Sequence, residues 1–220
     1  SEEKRDLYFK LADVFQATDD WRRVLGCWEQ IITSDTQNLR ARLGRLKYYY
    51  IMAASLDAVG QNVSAYWKDV SSQATELIEI AQSAGVMNQA KAEWERDFGA
   101  AEPTEWDGGV VLLDAFLYLA RGRATLELAT MGATNDPAGL LAEAKRDLQE
   151  AKTLEPANPE AYQYLAAAFL EEGRVAEAFR NLNLPDAAMR QADEIMAEAI
   201  QVADDVPDPH IHLLVRRLSK

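Results

Sequence analysis

The stretch Leu154-Glu155-Pro156-Ala157-Asn158-Pro159-Glu160-Ala161-Tyr162-Gln163-Tyr164-Leu165-Ala166-Ala167-Ala168-Phe169 decides the fold class. A helix coming from Leu140 stops at Glu155-Pro156, because proline lacks a backbone donor and its ring clashes with the preceding turn. Pro159 opens the next helix, where the missing N–H would have no partner anyway. Before the break, Leu141, Ala144, Leu148 and Ala151 alternate large and small at helical spacing. After it, Tyr162, Leu165-Ala166 and Phe169 place a large residue, a Leu-small pair and an aromatic on one face. Gly173 is expected to make a turn, with Ala178 where a second helix crosses the first. Small residues at a crossing let two antiparallel helices approach, and aromatic or leucine side chains fill the grooves beside them.

The same layout recurs elsewhere. Tyr8, Leu11-Ala12 and Phe15 occupy a first helix, with Leu7 on the same face. Trp21, Val24, Trp28 and Ile31 occupy a second, and Thr36 stands where proline would be expected. A weaker copy uses Leu43-Gly44 with Ala74, Ile78 and Ala81, and another helix carries Ala192, Met196 and Ala199. Each pair leaves an apolar face uncovered, so pairs must stack. The pattern resembles the tetratricopeptide repeat family. Residues 138–184 match best, and residues 5–38 span a full repeat. Residues 107–137 look like a first helix carrying Tyr118, Arg121-Gly122 and Ala124. Val24 and Ile31 replace small residues of the family, and insertions at 52–64, 86–106 and 132–139 break the period.

The expected fold is therefore all-α, with antiparallel helix pairs stacked as an irregular tetratricopeptide-like α-solenoid. One domain over 1–220 is expected. It comprises a first repeat at 5–38, a divergent second at 39–85, an insertion at 86–106, a third repeat at 107–158, a fourth with a break at 159–206, and a C-terminal helix at 207–220. The periodicity and the breakers predict helices over 2–17, 21–34, 39–59, 64–84, 87–98, 110–131, 140–154, 159–172, 174–181, 186–203 and 209–218. No segment shows the sustained alternation of a strand.

Composition excludes several functions. The chain has 220 residues, with Lys+Arg 23 against Asp+Glu 36, a net charge of −13. That balance argues against a nucleic-acid groove. The most apolar run, Val110 to Ala120, is interrupted by Asp114 and is about half the ~20 residues of a membrane span. No signal peptide precedes the first helix, so a cytoplasmic location is expected; a chain opening at Ser1 is also compatible with a removed export signal. The single Cys27 lies in an apolar helix and reads as a buried small hydrophobe. His210 and His212 point apart on a helix and have no third ligand. Gly108-Gly109 has no preceding strand to make a phosphate loop. The acidic pairs Asp19-Asp20, Glu171-Glu172 and Asp204-Asp205 read as helix ends or turns. Asn62-Val63-Ser64 is a formal glycosylation sequon already explained as a helix cap. No catalytic residues, cofactor or metal are expected, and the chain reads as a non-enzyme.

The notable feature is Tyr48-Tyr49-Tyr50 following Arg40, Arg42, Arg45 and Lys47. Arg45, Tyr48 and Tyr49 share a helical stripe. First helices line the concave surface in tetratricopeptide proteins, so the resemblance points this stripe, with Arg121 and Arg123 of a later repeat, toward a groove. Arginine and tyrosine are favoured contact residues. The family's carboxylate clamp is not implied, because the first helix offers Asp6, Phe9 and Asp13 at its positions. The expected function is a scaffold that binds a protein or peptide segment; its partner would offer carboxylates and apolar groups to these five residues. The competing expectation is a small-molecule or transporter-accessory protein whose insertions close a pocket lined by Trp67, Trp94 and Trp106. The competing expectation for the tyrosines themselves is that they pack the long helix 38–59 against its insertion.

Overall fold

A computed structural model describes residues 2–18, 20–57, 59–82, 113–178 and 184–205. Every regular element among these residues is an α-helix. The chain divides into two compact units, Ser1–Trp94 and Glu95–Lys220. The helices expected over 87–98 and 209–218, the Gly108-Gly109 turn and both histidines lie outside the described residues.

The first unit contains α1 (Glu2–Ala17), α2 (Trp21–Ser34), α3 (Leu39–Asp57) and α4 (Ser64–Gln82). α1 pairs with α2, α3 pairs with α4, and α2 packs on α3. Local chemistry sets the boundaries. Asp20 caps α2 by accepting the Arg23 backbone N–H at 3.2 Å. Gly60 takes φ +73°, the left-handed conformation in which a side chain is strained. Asn62 Oδ1 accepts the Ser64 N–H at 3.2 Å, which is the capping role expected of that sequon. One core cluster gathers Ala12, Val24, Cys27, Trp28, Ile31, Ile32 and Ala41. Leu46, Tyr50, Ala53, Val63, Trp67 and Val70 are also buried. Gly44 lets Trp28 lie close to α3, since a Cβ there would stand 2.6 Å from the indole. Leu7 does not join this core; it is exposed, and Phe9 lies on Trp28 at 5.8 Å instead.

The second unit contains α5 (Leu113–Thr130), α6 (Pro137–Leu154), α7 (Pro159–Ala178) and α8 (Leu184–Asp205). α5 pairs with α6, α7 pairs with α8, α6 packs on α7, and α5 also touches α7. Leu141, Ala144, Leu148 and Ala151 are all buried, as their spacing predicts. Tyr162, Leu165 and Ala166 join the same cluster. A Cβ on Gly122 would meet Leu148 Cγ at 2.7 Å, so this glycine permits the α5–α6 approach.

Most helix ends fall within about two residues of the expectation, and two boundaries depart further. α6 begins at Pro137 rather than Leu140, because Asp136 Oδ1 caps the helix by accepting the Gly139 N–H at 2.9 Å. α7 does not stop at Gly173 but runs unbroken to Ala178. A glycine inside a helix costs about 1 kcal/mol relative to alanine. Packing offsets it: Val175 lies against the core cluster, and Lys145 of α6 reaches Glu172 at 2.5 Å. Glu171 and Glu172 are therefore mid-helix residues in ion pairs with Arg174 and Lys145, not end residues. The side chain of Ala178 lies outside the described residues.

The same kind of turn occurs once in each unit. Asp35 N–H donates to Ile31 O at 2.8 Å, and Glu155 N–H to Ala151 O at 2.9 Å. Asn38 Nδ2 donates to Asp35 Oδ2 at 3.1 Å, and Asn158 Nδ2 to Glu155 Oε2 at 3.0 Å. The opposite end of each amide caps the next helix, through Ala41 N–H and Glu160 N–H, both at 3.0 Å. Arg42 Nε bonds Thr36 O at 2.6 Å, as Tyr162 Oη bonds Pro156 O at 2.9 Å. The acid–asparagine pair makes the turn in both copies, so proline is dispensable at Thr36. The matched turns pair Arg45-Leu46, not Leu43-Gly44, with Leu165-Ala166.

Candidate functional site

α3 is basic where it faces acidic neighbours. Arg40 lies 4.3 Å over the Phe9 ring and 3.7 Å from Asp13 of α1. Arg42, buried, contacts Glu76 of α4 at 2.6 Å. Arg45 Nε donates to Gln73 of α4 at 2.9 Å, and its NH1 lies 3.4 Å from Glu29 of α2. These arginines bind three surrounding helices to α3. The three consecutive tyrosines divide by the helical period. Tyr50 is fully buried edge-on to Trp67, 5.9 Å away. Tyr48 and Tyr49 are half-buried.

The half-buried tyrosines belong to a longer strip of rings. Trp21 stands 6.5 Å from Tyr48, Tyr48 lies edge-on to Tyr49 at 5.5 Å, and Tyr49 stands 6.0 Å from Tyr66. All four rings remain partly exposed. Desolvation pushes the Tyr49 hydroxyl up, and Asp69 and Glu29 add to that while Arg45 opposes it. The Tyr48 hydroxyl is raised by burial and by Tyr66, against a lowering from Arg22. Arg22 follows Trp21 on α2 at one end of the strip, and Asp69 follows Tyr66 on α4 at the other. Trp21 and Tyr66 escape a reading along the chain because they sit in the first turns of α2 and α4, which run antiparallel to α3.

Arg45, Tyr48 and Tyr49 come together as their spacing predicts, in the first unit. Arg121 and Arg123 lie in the second. Arg121 makes a forked pair with the buried Asp147 of α6, at 2.6 and 2.8 Å. That bond, the first cause, raises its guanidinium further above an already high value. Arg123 lies 4.4 Å over the Tyr164 ring of α7 and 3.9 Å from Glu127. Both arginines therefore connect α5 to a neighbouring helix. Cys27 is buried, and burial pushes its thiol up, the opposite of an activated nucleophile. Trp67, expected at a pocket wall, is a fully buried core residue; Trp94 and Trp106 lie outside the described residues.

No protein-family model matches the chain, and no curated protein matches it. Among solved structures it is similar to that of MamA, at 12% identity and a TM-score of 0.35, covering 93% of this chain and 94% of that one. It is also similar to YrrB, a TPR protein with an unusual peptide-binding site, at 14% identity and a TM-score of 0.32, covering 96% and 90%. The fold assignment rests on the chain's own geometry: helix pairs joined by matched acid–asparagine turns, with small residues where helices cross. The fold is a divergent tetratricopeptide-like one. In that frame α1, α3, α5 and α7 are the first helices of successive pairs, and the aromatic strip crosses the first helix of the second pair. No described helix is long and apolar enough to cross a membrane.

Proposed function

We propose that this tetratricopeptide-like protein is a non-enzymatic scaffold that docks a peptide or protein segment on the α3 face of its first unit. The observation behind this reading is the strip Trp21–Tyr48–Tyr49–Tyr66, four rings from three helices held together and left partly exposed. Such rings supply contact area at small entropic loss, because two torsions define each side chain. Arg45 acts as a positioning residue. Its bonds to Gln73 and Glu29 fix α2 and α4 against α3, and so hold the rings at their spacing.

The test is affinity for the native partner, isolated with the wild-type protein. Arg45→Ala combined with Tyr49→Ala should weaken binding at least about tenfold, a loss of ~1.4 kcal/mol. Helicity should be unchanged, since neither side chain is fully buried. Wild-type affinity in that double variant would remove α3 as the docking face.

A further inference from the structure

We propose that the partner segment is basic, and that one of its lysine or arginine side chains lies over Tyr49 and Tyr66 and is countered by Asp69. This rests on α3 being the docking face and adds the chemistry of what docks there. The arginines of the sequence suggest a carboxylate-bearing partner, but the structure points the other way. A partner carboxylate at Arg45 would compete with Glu29 and Gln73, which already hold its guanidinium. A carboxylate at Arg121 would compete with the fork to Asp147.

The far end of the strip suits a cation instead. Tyr49 and Tyr66 stand 6.0 Å apart with their planes inclined at 50°, and both remain partly exposed, so the pair offers aromatic surface at one place. A cation within about 6 Å of a tyrosine ring is attracted by the negative face of the π system. Asp69 lies one helical turn beyond Tyr66 on α4, is exposed, and bears on Tyr49 electrostatically, as does Glu29. A carboxylate beside the rings converts this weak attraction into a charge-assisted contact. Arg22, at the Tyr48 end, disfavours a cation there. The segment therefore lays apolar residues on Trp21 and Tyr48 and its cation on Tyr49 and Tyr66. The net charge of −13 supplies long-range complementarity, drawing basic segments in and repelling acidic ones.

The experiment pans a phage-displayed library of random peptides on the immobilised full chain and, in parallel, on its Tyr49→Ala/Tyr66→Ala variant. The expected result is recovery of Lys- or Arg-rich clones on the wild type that are lost on the variant. A synthetic peptide from those clones, labelled with a fluorophore and titrated by anisotropy, should bind about tenfold more weakly to Asp69→Asn and more weakly again as salt rises. Clones rich in Asp or Glu that depend on the tyrosines would overturn the basic partner while leaving α3 as the docking face. Basic clones indifferent to the tyrosines and to Asp69 would overturn the assigned contact. Recovery of no enriched clone on the wild type would overturn the docking face as well. If the double variant melts early, Asp69→Asn alone carries the comparison, because that side chain is exposed.

Discussion

Single residues in this protein are chosen by volume or by charge, and each choice can be tested alone. Ala151 is 2% exposed within the cluster that holds Leu148, Tyr162 and Leu165. Ala151→Phe should lower stability by about 1–3 kcal/mol through overpacking, read as a drop in melting temperature. Glu155 shows the electrostatic counterpart. Burial raises its carboxyl above the ordinary range, Asn158's hydrogen bond opposes this, and Glu160 adds to it. Its folded pKa is therefore above the unfolded one. The stability it contributes is fully present below the unfolded value and is lost as pH rises through the folded value. Glu155→Gln removes that loss. The variant should melt at least as high as wild type at neutral pH, and its advantage should shrink as pH falls into the carboxylate range. Thermal melts across that range check the sign.

Elements are delimited by short polar networks rather than by proline alone. The turn after α2 and the turn after α6 use the same acid–asparagine pair, although one contains Thr36 and the other Pro156. Each asparagine also caps the following helix. Asn38→Ala and Asn158→Ala should therefore each cost about 1 kcal/mol, within the range for losing an N-cap, as measured by urea unfolding. Losses of similar size are expected, because each asparagine both holds the preceding acid and caps the following helix, through Ala41 N–H in one copy and Glu160 N–H in the other. A loss confined to Asn158→Ala would mean that Pro156 and Pro159, not the amide, make the second turn. Between elements the connections are ionic as well as apolar. Arg121 with Asp147 joins α5 to α6, and Arg42 with Glu76 joins α3 to α4.

At the scale of the whole molecule, each unit has a hydrophobic core of its own. The first is built around Trp28, Ile31, Tyr50 and Trp67, the second around Leu141, Leu148, Tyr162 and Leu165. A unit with its own core meets the condition for folding alone. Residues 1–94 expressed separately should be helical and unfold cooperatively, with near-UV circular dichroism from the Tyr50–Trp67 pair. A fragment with helix signal but no near-UV signal would show that the first unit does not pack by itself.

What was legible in the sequence is what depends on near neighbours along the chain. Helix starts at Trp21 and Pro159, the stop at Leu154, and the buried row Leu141, Ala144, Leu148 and Ala151 follow from caps, proline and the 3.6-residue period. The stripe of Arg45, Tyr48 and Tyr49 follows from the same period. Other features needed the packed structure. Gly173 reads locally as a stop, yet Val175 docking and the Lys145–Glu172 pair carry α7 through it. Tyr50 and Tyr49 are adjacent in sequence, but only the position of Trp67 and Tyr66 on α4 sends one into the core and leaves the other at the surface. The acids that hold Arg45 and Arg121 lie on other helices, Glu29 on α2 and Asp147 on α6. Capping acts within a few residues, so it is written locally. Charge pairing and ring contact act across a few ångströms of space, and only the docking of one helix on another brings their partners within reach.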